Sequence, residues 1–274
     1  MRKISLHLVA MLVLALLLNA CKKDSPTPVA PGPGPTPPPV VEPNAPILPK
    51  KEMRGVWIAS VFGLDWPQSV YNVEAQKKQY TDYLDKFKAM NINAIYFQVK
   101  GMGDAFYNSP YEPWSASITG TRGQNPGYDV LKFMIDEAHA RDIEFHAWMN
   151  PYRISTRVAG GSFAALPSSI DPTWVVDFPT IRIYNPALPE VRQRLVDIVK
   201  DMITKYDVDG IHFDDYFYPY PDPKSTLKDE DTYLKYRHAG ESKADWRRRN
   251  TSALIQEISE TIRKTNPKIK FGIS

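Results

Sequence analysis

The stretch DGIHFDDYFYPYPDP, residues 209–223, runs from an alternating apolar segment into two adjacent carboxylates and a turn rich in tyrosine and proline. Ile211 and Phe213 share one parity, His212 and Asp214 the other. Successive side chains of a strand point to opposite faces, so one face here is apolar and the other ends on an acid. The same asymmetry recurs in NAIYFQV (93–99), IEFHAWMN (143–150) and KIKFGIS (268–274), and RGVWIAS (54–60) adds a further β-rich run. Between these runs the apolar period changes from two to about 3.6. Tyr80, Tyr83, Leu84 and Phe87 mark a helix over 73–90; Val130, Leu131, Met134, Ile135 and Ala138 one over 128–141. Val191, Leu195, Ile198, Val199 and Met202 mark a third over 187–205, and Trp246, Leu254, Ile258 and Ile262 a fourth over 244–265.

Strands alternating with helices argue for parallel βαβ units. A doubly wound sheet is covered on both faces and tends to be apolar on both. Here the second parity is partly polar: Tyr96 and Gln98; His146, Trp148 and Asn150; His212 and Asp214; Lys270. No GxGxxG follows the first strand either. The pattern therefore predicts an α/β fold of the (β/α)8 TIM-barrel type, its apolar residues facing a ring of helices and its polar ones turned inward. Five strands are counted where eight are expected. Residues 51–274 are accordingly read as a barrel domain interrupted after about five strands and incomplete at its C-terminal end.

The segment ahead of this domain has a different character. Arg2 and Lys3 precede LHLVAMLVLALLLNA, an export-signal pattern, and LNAC places small Ala20 before Cys21, the single cysteine of the chain. Residues 1–21 are read as a lipoprotein signal with Cys21 the lipidated residue. Residues 22–50, dominated by proline, are read as a disordered tether; at about 3.1 Å per residue in polyproline conformation, residues 24–50 reach roughly 80 Å. The expected location is the cell envelope, most simply the outer membrane, held by a lipid anchor. A formal net charge of +3 with no dense Lys/Arg stripe points away from nucleic acid. No phosphate loop or CxxC pair is present, and no cofactor or metal is expected.

In a barrel of this type the catalytic groups lie at the C-terminal ends of the strands. Those ends carry Gln98 and Lys100; His146, Trp148 and Asn150; His212, Asp214 and Asp215. The following loops add Trp114, Tyr152, Arg153, Tyr216 and Tyr218. Flat rings suit the C–H faces of sugars, while amides, carboxylates and Arg153 suit hydroxyl groups. Any one of these aromatics serves equally well to pin a long loop. Cleaving a glycosidic bond takes one acid and one carboxylate acting as nucleophile or base. Asp214 has inward parity and fits the second role. Asp215, of opposite parity, either turns into the mouth at the strand end or orients a loop.

The blocks MRGVWIAS, NAIYFQV, EPWS, FHAWMNPYR and VDGIHFDDYFYPYP resemble the glycosyl hydrolase-like 10 family of exported bacterial proteins, from about Glu52 to the last residue. The resemblance implies a (β/α)8 glycosidase-like barrel acting on an envelope or extracellular polysaccharide, with peptidoglycan strands stripped of stem peptides as a candidate substrate. Two other readings stay open: a glycan-binding protein without turnover, and a metal-dependent hydrolase using His146, His212 and Asp214, whose spacing fits no standard metal signature.

Overall fold

A computed structural model describes residues 52–158, 160–214 and 216–274. Five parallel strands form the main sheet: β1 (Gly55–Ile58), β2 (Ala94–Lys100), β3 (Glu144–Met149), β7 (Gly210–Phe213) and β8 (Lys270–Ile273), hydrogen-bonded in the order β1-β2-β3-β7-β8. The order rises steadily along the chain and never reverses. A doubly wound sheet has a switch point where the order reverses; this one has none.

Helices occupy the crossovers. Helix α1 (Val73–Ala89) starts at Asn72, whose side chain accepts from the Ala75 N–H, and it buries Tyr80 and Leu84. Helix α2 (Ala116–Thr119) is a single turn. Helix α3 (Val130–His139) is capped by Asp129, and buries Val130, Leu131, Met134, Ile135 and Ala138. Helix α4 (Pro189–Lys205) opens with proline in its first turn, where the missing N–H is no loss. Helix α5 (Glu230–Tyr236) is short, and α6 (Lys243–Thr265), capped by Ser242, buries Trp246, Leu254, Ile258 and Ile262. These stripes lie against the outer parity of the sheet: Ile95, Phe97 and Val99, then Phe145, Ala147 and Met149, then Ile211 and Phe213, all buried. Burying each of these side chains other than Ala147 contributes about 1.5–3 kcal/mol.

The inner parity shows that the sheet curls. Strands β1 and β7 are three steps apart, about 14 Å in a flat sheet at the usual 4.8 Å spacing. Yet the rings of Trp57 on β1 and His212 on β7 stand 4.5 Å apart, edge to face. The face is concave, as barrel closure requires, and its side chains stack in layers. Glu144, Lys270 and His146 form a polar cluster at the N-terminal end of this face, joined by Lys270 Nζ–Glu144 Oε2 at 2.7 Å and His146 Nε2–Glu144 Oε2 at 3.0 Å. Trp57, Tyr96, Trp148 and His212 make an aromatic layer above.

Glycines make room for these inward side chains. A Cβ at Gly210 would stand 2.2 Å from His146 Nδ1, and one at Gly272 would stand 3.0 Å from His212 Nδ1. Gly210→Ala is therefore expected to destabilise the domain by about 1–3 kcal/mol, because the buried imidazole it would displace is held by Glu144. Denaturant melts of the two proteins measure this, and an unchanged midpoint would mean that the cluster is loosely packed.

One element has no counterpart in the sequence reading. After β3 the chain forms a small antiparallel sheet from β4 (Arg153–Thr156), β5 (Val175–Asp177) and β6 (Ile181–Tyr184), in the order β4-β6-β5. It stands at the C-terminal end of β3 and walls one side of the mouth.

Candidate active site

Asp214 follows β7 immediately, and a directed chain of hydrogen bonds leads to it. The Ser60 and Val61 backbone N–H groups donate to Gln98 Oε1 at 3.1 and 2.9 Å. Backbone N–H can only donate, so the Gln98 amide has one orientation, with its Nε2 donating to Asn150 Oδ1 at 2.6 Å. That in turn fixes Asn150, whose Nδ2 donates to Asp214 Oδ2. Gln98 and Asn150 are both fully enclosed. The ends of β1, β2, β3 and β7 are thus linked by one line of polar groups that terminates on a carboxylate able only to accept.

The carboxyl is pushed above the usual aspartate range, first because it is partly withdrawn from water. The Tyr216 N–H, which donates to Oδ1 at 3.3 Å, the Arg153 charge and Asn150 pull it the other way. The Trp148 indole N–H adds a small pull in the same sense, although it has no hydrogen-bond partner of good geometry among the described residues. Arg153 donates from Nε to the Gly101 carbonyl at 2.7 Å and lies over the Tyr216 ring, 5.6 Å from its centroid. Tyr216 stands edge-on to Tyr220 at 5.3 Å. Below the carboxylate, burial and the neighbouring His146 push His212 down to about 4, so its imidazole is neutral at ordinary pH.

Of the residues expected at the mouth, the fold brings together Gln98, Trp148, Asn150, Arg153, His212, Asp214 and Tyr216. It takes others elsewhere. His146 lies deeper in the interior, two residues before Trp148 on β3, and is bonded to Glu144. Tyr152 is fully enclosed against Phe217, because its parity turns it into the core beneath the small sheet. Trp114 is 9% exposed, in a β-bridge with Ala105 that folds the β2 loop back on itself. Tyr218 accepts from Asn250 Nδ2 at 3.2 Å and lies under Arg247, so it docks α6 rather than facing the mouth. Lys100 is displaced by a register shift after Gln98 and is buried beside Glu112, 3.8 Å away. His146, His212 and Asp214 do not gather, and among the described residues no group of three or more His, Cys, Asp or Glu side chains could hold a metal ion. Asp215 and Cys21 lie outside the described residues.

Two cavities open beside Asp214, which lines neither; Arg153 and Tyr216 connect it to the larger. One, of about 840 Å³, is lined by Arg153, Arg157, Tyr216 and Asp222 among others. The other, of about 420 Å³, lies between the loops that follow β1 and β2, with Tyr71, Asp104, Ser115 and Arg122 in its wall. Phe62 and Thr156 border both. The sequence reading missed Phe62, Tyr71, Asp104 and Arg122. The one signal available was the cluster of aromatics and glycine in SVFGLDW and of acid and glycine in GMGDAF, which has no period to mark a face.

A curled parallel sheet, an interior layered with polar and aromatic side chains, and an oriented carboxylate at a C-terminal strand end define a glycosidase-type (β/α) barrel. The chain belongs to the glycosyl hydrolase-like 10 family, whose model matches residues 52–274. It is 40% identical over 292 residues to "Glycosyl hydrolase DigH" of Escherichia coli strain K12, an alignment covering 100% of this chain and 65% of that protein. It is 42% identical over 228 residues to "Glycosyl hydrolase YngK" of Bacillus subtilis strain 168, covering 82% of this chain and 45% of that protein. The chain thus spans 65% and 45% of the length of these curated relatives. Among solved structures, α-L-fucosidase isoenzyme 2 from Paenibacillus thiaminolyticus superposes with a TM-score of 0.52 at 16% identity, over 82% of this chain and 32% of that one. A hypothetical protein from Ruminiclostridium thermocellum ATCC 27405 gives 0.50 at 15% identity, over 80% and 96%. At such identities the likeness is one of fold.

Proposed function

We propose that this protein is a glycoside hydrolase acting on a polysaccharide of the bacterial envelope or its surroundings, with peptide-free peptidoglycan strands as the leading substrate. The observation that carries this reading is the directed chain Gln98–Asn150–Asp214, which presents an oriented carboxylate beside Arg153 and the Tyr216 ring. In this reading Asp214 acts as nucleophile or water-activating base, facing the positive charge that develops on the sugar ring. Its raised pKa lets it hold or release a proton nearer neutrality than an exposed aspartate does. The adjacent Asp215 is the nearest second acid in sequence. The names of the two relatives, both glycosyl hydrolases, support the reaction class. The test is release of new reducing ends from peptide-free peptidoglycan strands and from a panel of other glycans. Retention of the strands on the protein with no new ends would favour a binding protein instead.

The proposal extends to location. The signal-like start and LNAC support lipidation of Cys21 and display of residues 51–274 on a proline-rich tether. Cys21→Ser is expected to abolish incorporation of labelled fatty acid and to release the protein from membranes or leave it as precursor. Unchanged labelling and membrane retention would contradict the anchor.

A further inference from the structure

The loop between β1 and α1 carries most of the unusual backbone among the described residues. Five non-glycine residues among them have positive φ, and three lie in this loop: Phe62 at 58°, Gln68 at 52° and Ser69 at 60°, with Gly63 at 64° beside them. A bulky residue is rare in that region and persists only where its surroundings over-determine it. The surroundings do so here. Asp65 Oδ2 accepts from the Ala59 N–H at 2.7 Å, the Gly63 N–H donates to the Ser60 carbonyl at 2.9 Å, and the Tyr83 hydroxyl donates to the Asp65 carbonyl at 3.0 Å. Trp66, fully buried, anchors the far side. The near side hangs on Gln98, which takes the Ser60 and Val61 N–H groups and also orients Asn150 toward Asp214.

This strain is not spent on burial. Phe62 is 68% exposed, and it borders both cavities of the mouth. The larger cavity is lined by Arg153 and Tyr216, two of the residues that contact or act on Asp214. The smaller one lies beyond Phe62 and offers hydroxyls, Asp104 and Arg122. Asp104 is raised above its ordinary range by burial, held in check by Arg122 and a bond to Ser115. Each volume lies in the range of ordinary ligand sites. An aromatic face suits the C–H face of a sugar ring, and the polar groups on either side suit hydroxyls.

We propose that Phe62 is a stacking platform that divides the cleft into two glycan-binding segments, so that the substrate is a chain lying across both. This rests on the glycosidase reading above. Scission falls on the Asp214 side of Phe62, and the smaller cavity holds further sugars of the same chain. Phe62 is a positioning residue, since it stands apart from the carboxylate and sets which stretch of chain lies over it.

The test uses β-1,4-linked N-acetylglucosamine oligomers of two to six units, with affinity read by calorimetry and product sizes by mass spectrometry. In the unsubstituted protein affinity should rise with length, by about tenfold or more across the series, which is about 1.4 kcal/mol. Phe62→Ala should flatten that rise and change the product sizes from the longest oligomer. Phe62→Gly should flatten it equally while raising the melting midpoint, because glycine accepts the left-handed backbone. A role confined to holding the loop would instead lower the midpoint in both variants. A rise as steep in Phe62→Ala as in the parent overturns the placement of Phe62, as does a parent that binds two units as well as six. A parent that neither binds nor cleaves any oligomer, nor any peptide-free strand, overturns the glycosidase reading itself.

Discussion

Asp214→Asn is expected to lower turnover on a glycan substrate by about 10²–10⁴-fold, the range typical for loss of a positioned acid or base, with little change in stability. The two effects separate because of how the carboxylate is held. Oδ2 accepts from Asn150 and Oδ1 from the Tyr216 N–H at 3.3 Å. An asparagine keeps one acceptor and turns its amide toward the other donor, so about one hydrogen bond is lost, worth about 1 kcal/mol. The loss is offset because no charge is withdrawn from water. The folded-state pKa of Asp214 is raised. The group therefore favours folding most when protonated, and its contribution falls as pH rises through that raised value. Above it, the Asp214→Asn protein should be no less stable than the parent. Activity has the opposite dependence, since nucleophile and base must be ionised: it should fall as pH drops through the same value, above the usual aspartate range. Kinetics corrected for folded fraction, together with thermal melts across pH, check both. A residue that only capped the turn after β7 would show reduced stability and unchanged turnover per folded molecule.

Gln98→Leu should be the more damaging substitution for the fold. Gln98 has no exposed surface, and leucine leaves three partners unmatched: the buried Ser60 N–H and Asn150 Oδ1 and the part-buried Val61 N–H. At about 1–3 kcal/mol for each unsatisfied group, the destabilisation should be about 3 kcal/mol or more. Turnover should fall as well, because Asn150 is no longer compelled to donate toward Asp214. A misplacement of about 1 Å caused from beyond the reacting groups can cost about 10²-fold. The donated bond helps to hold the Asp214 pKa down, so its loss should move the acid limb of the pH–rate profile to higher pH. That shift separates positioning from mere loss of packing. A Gln98→Leu protein with unchanged melting and an unmoved acid limb would contradict the hydrogen-bond chain.

Much of the barrel could be read from period alone. The five β-rich runs became β1, β2, β3, β7 and β8, and the four helical stretches became α1, α3, α4 and α6, with ends shifted by one or two residues. This worked because the outer parity packs on amphipathic helices, so strand and helix each leave a strong periodic mark. The inward parity of Gln98, Asn150 and Asp214 was legible for the same reason. The segment 153–184 left no such mark: its strands have three or four residues and pair antiparallel over a walled edge, too short to show alternation. Residue type was a weaker guide than parity in the loops. Tyr152 and Tyr218 look like sugar platforms, yet one is enclosed beside Phe217 and the other bonded to Asn250. The Phe62 cavity was invisible because it depends on where a non-periodic loop is pinned.

The measurement that bears most directly on the central claim is hydrolysis of peptide-free peptidoglycan strands in water enriched in oxygen-18, with the new chain ends analysed by mass spectrometry. Hydrolysis at a carboxylate site delivers the water oxygen to the anomeric carbon of the new reducing end. Labelled reducing ends are expected from the protein and none from Asp214→Asn at equal folded concentration. Strands that are bound but never cut, or cut equally by the Asp214→Asn protein, would contradict the claim.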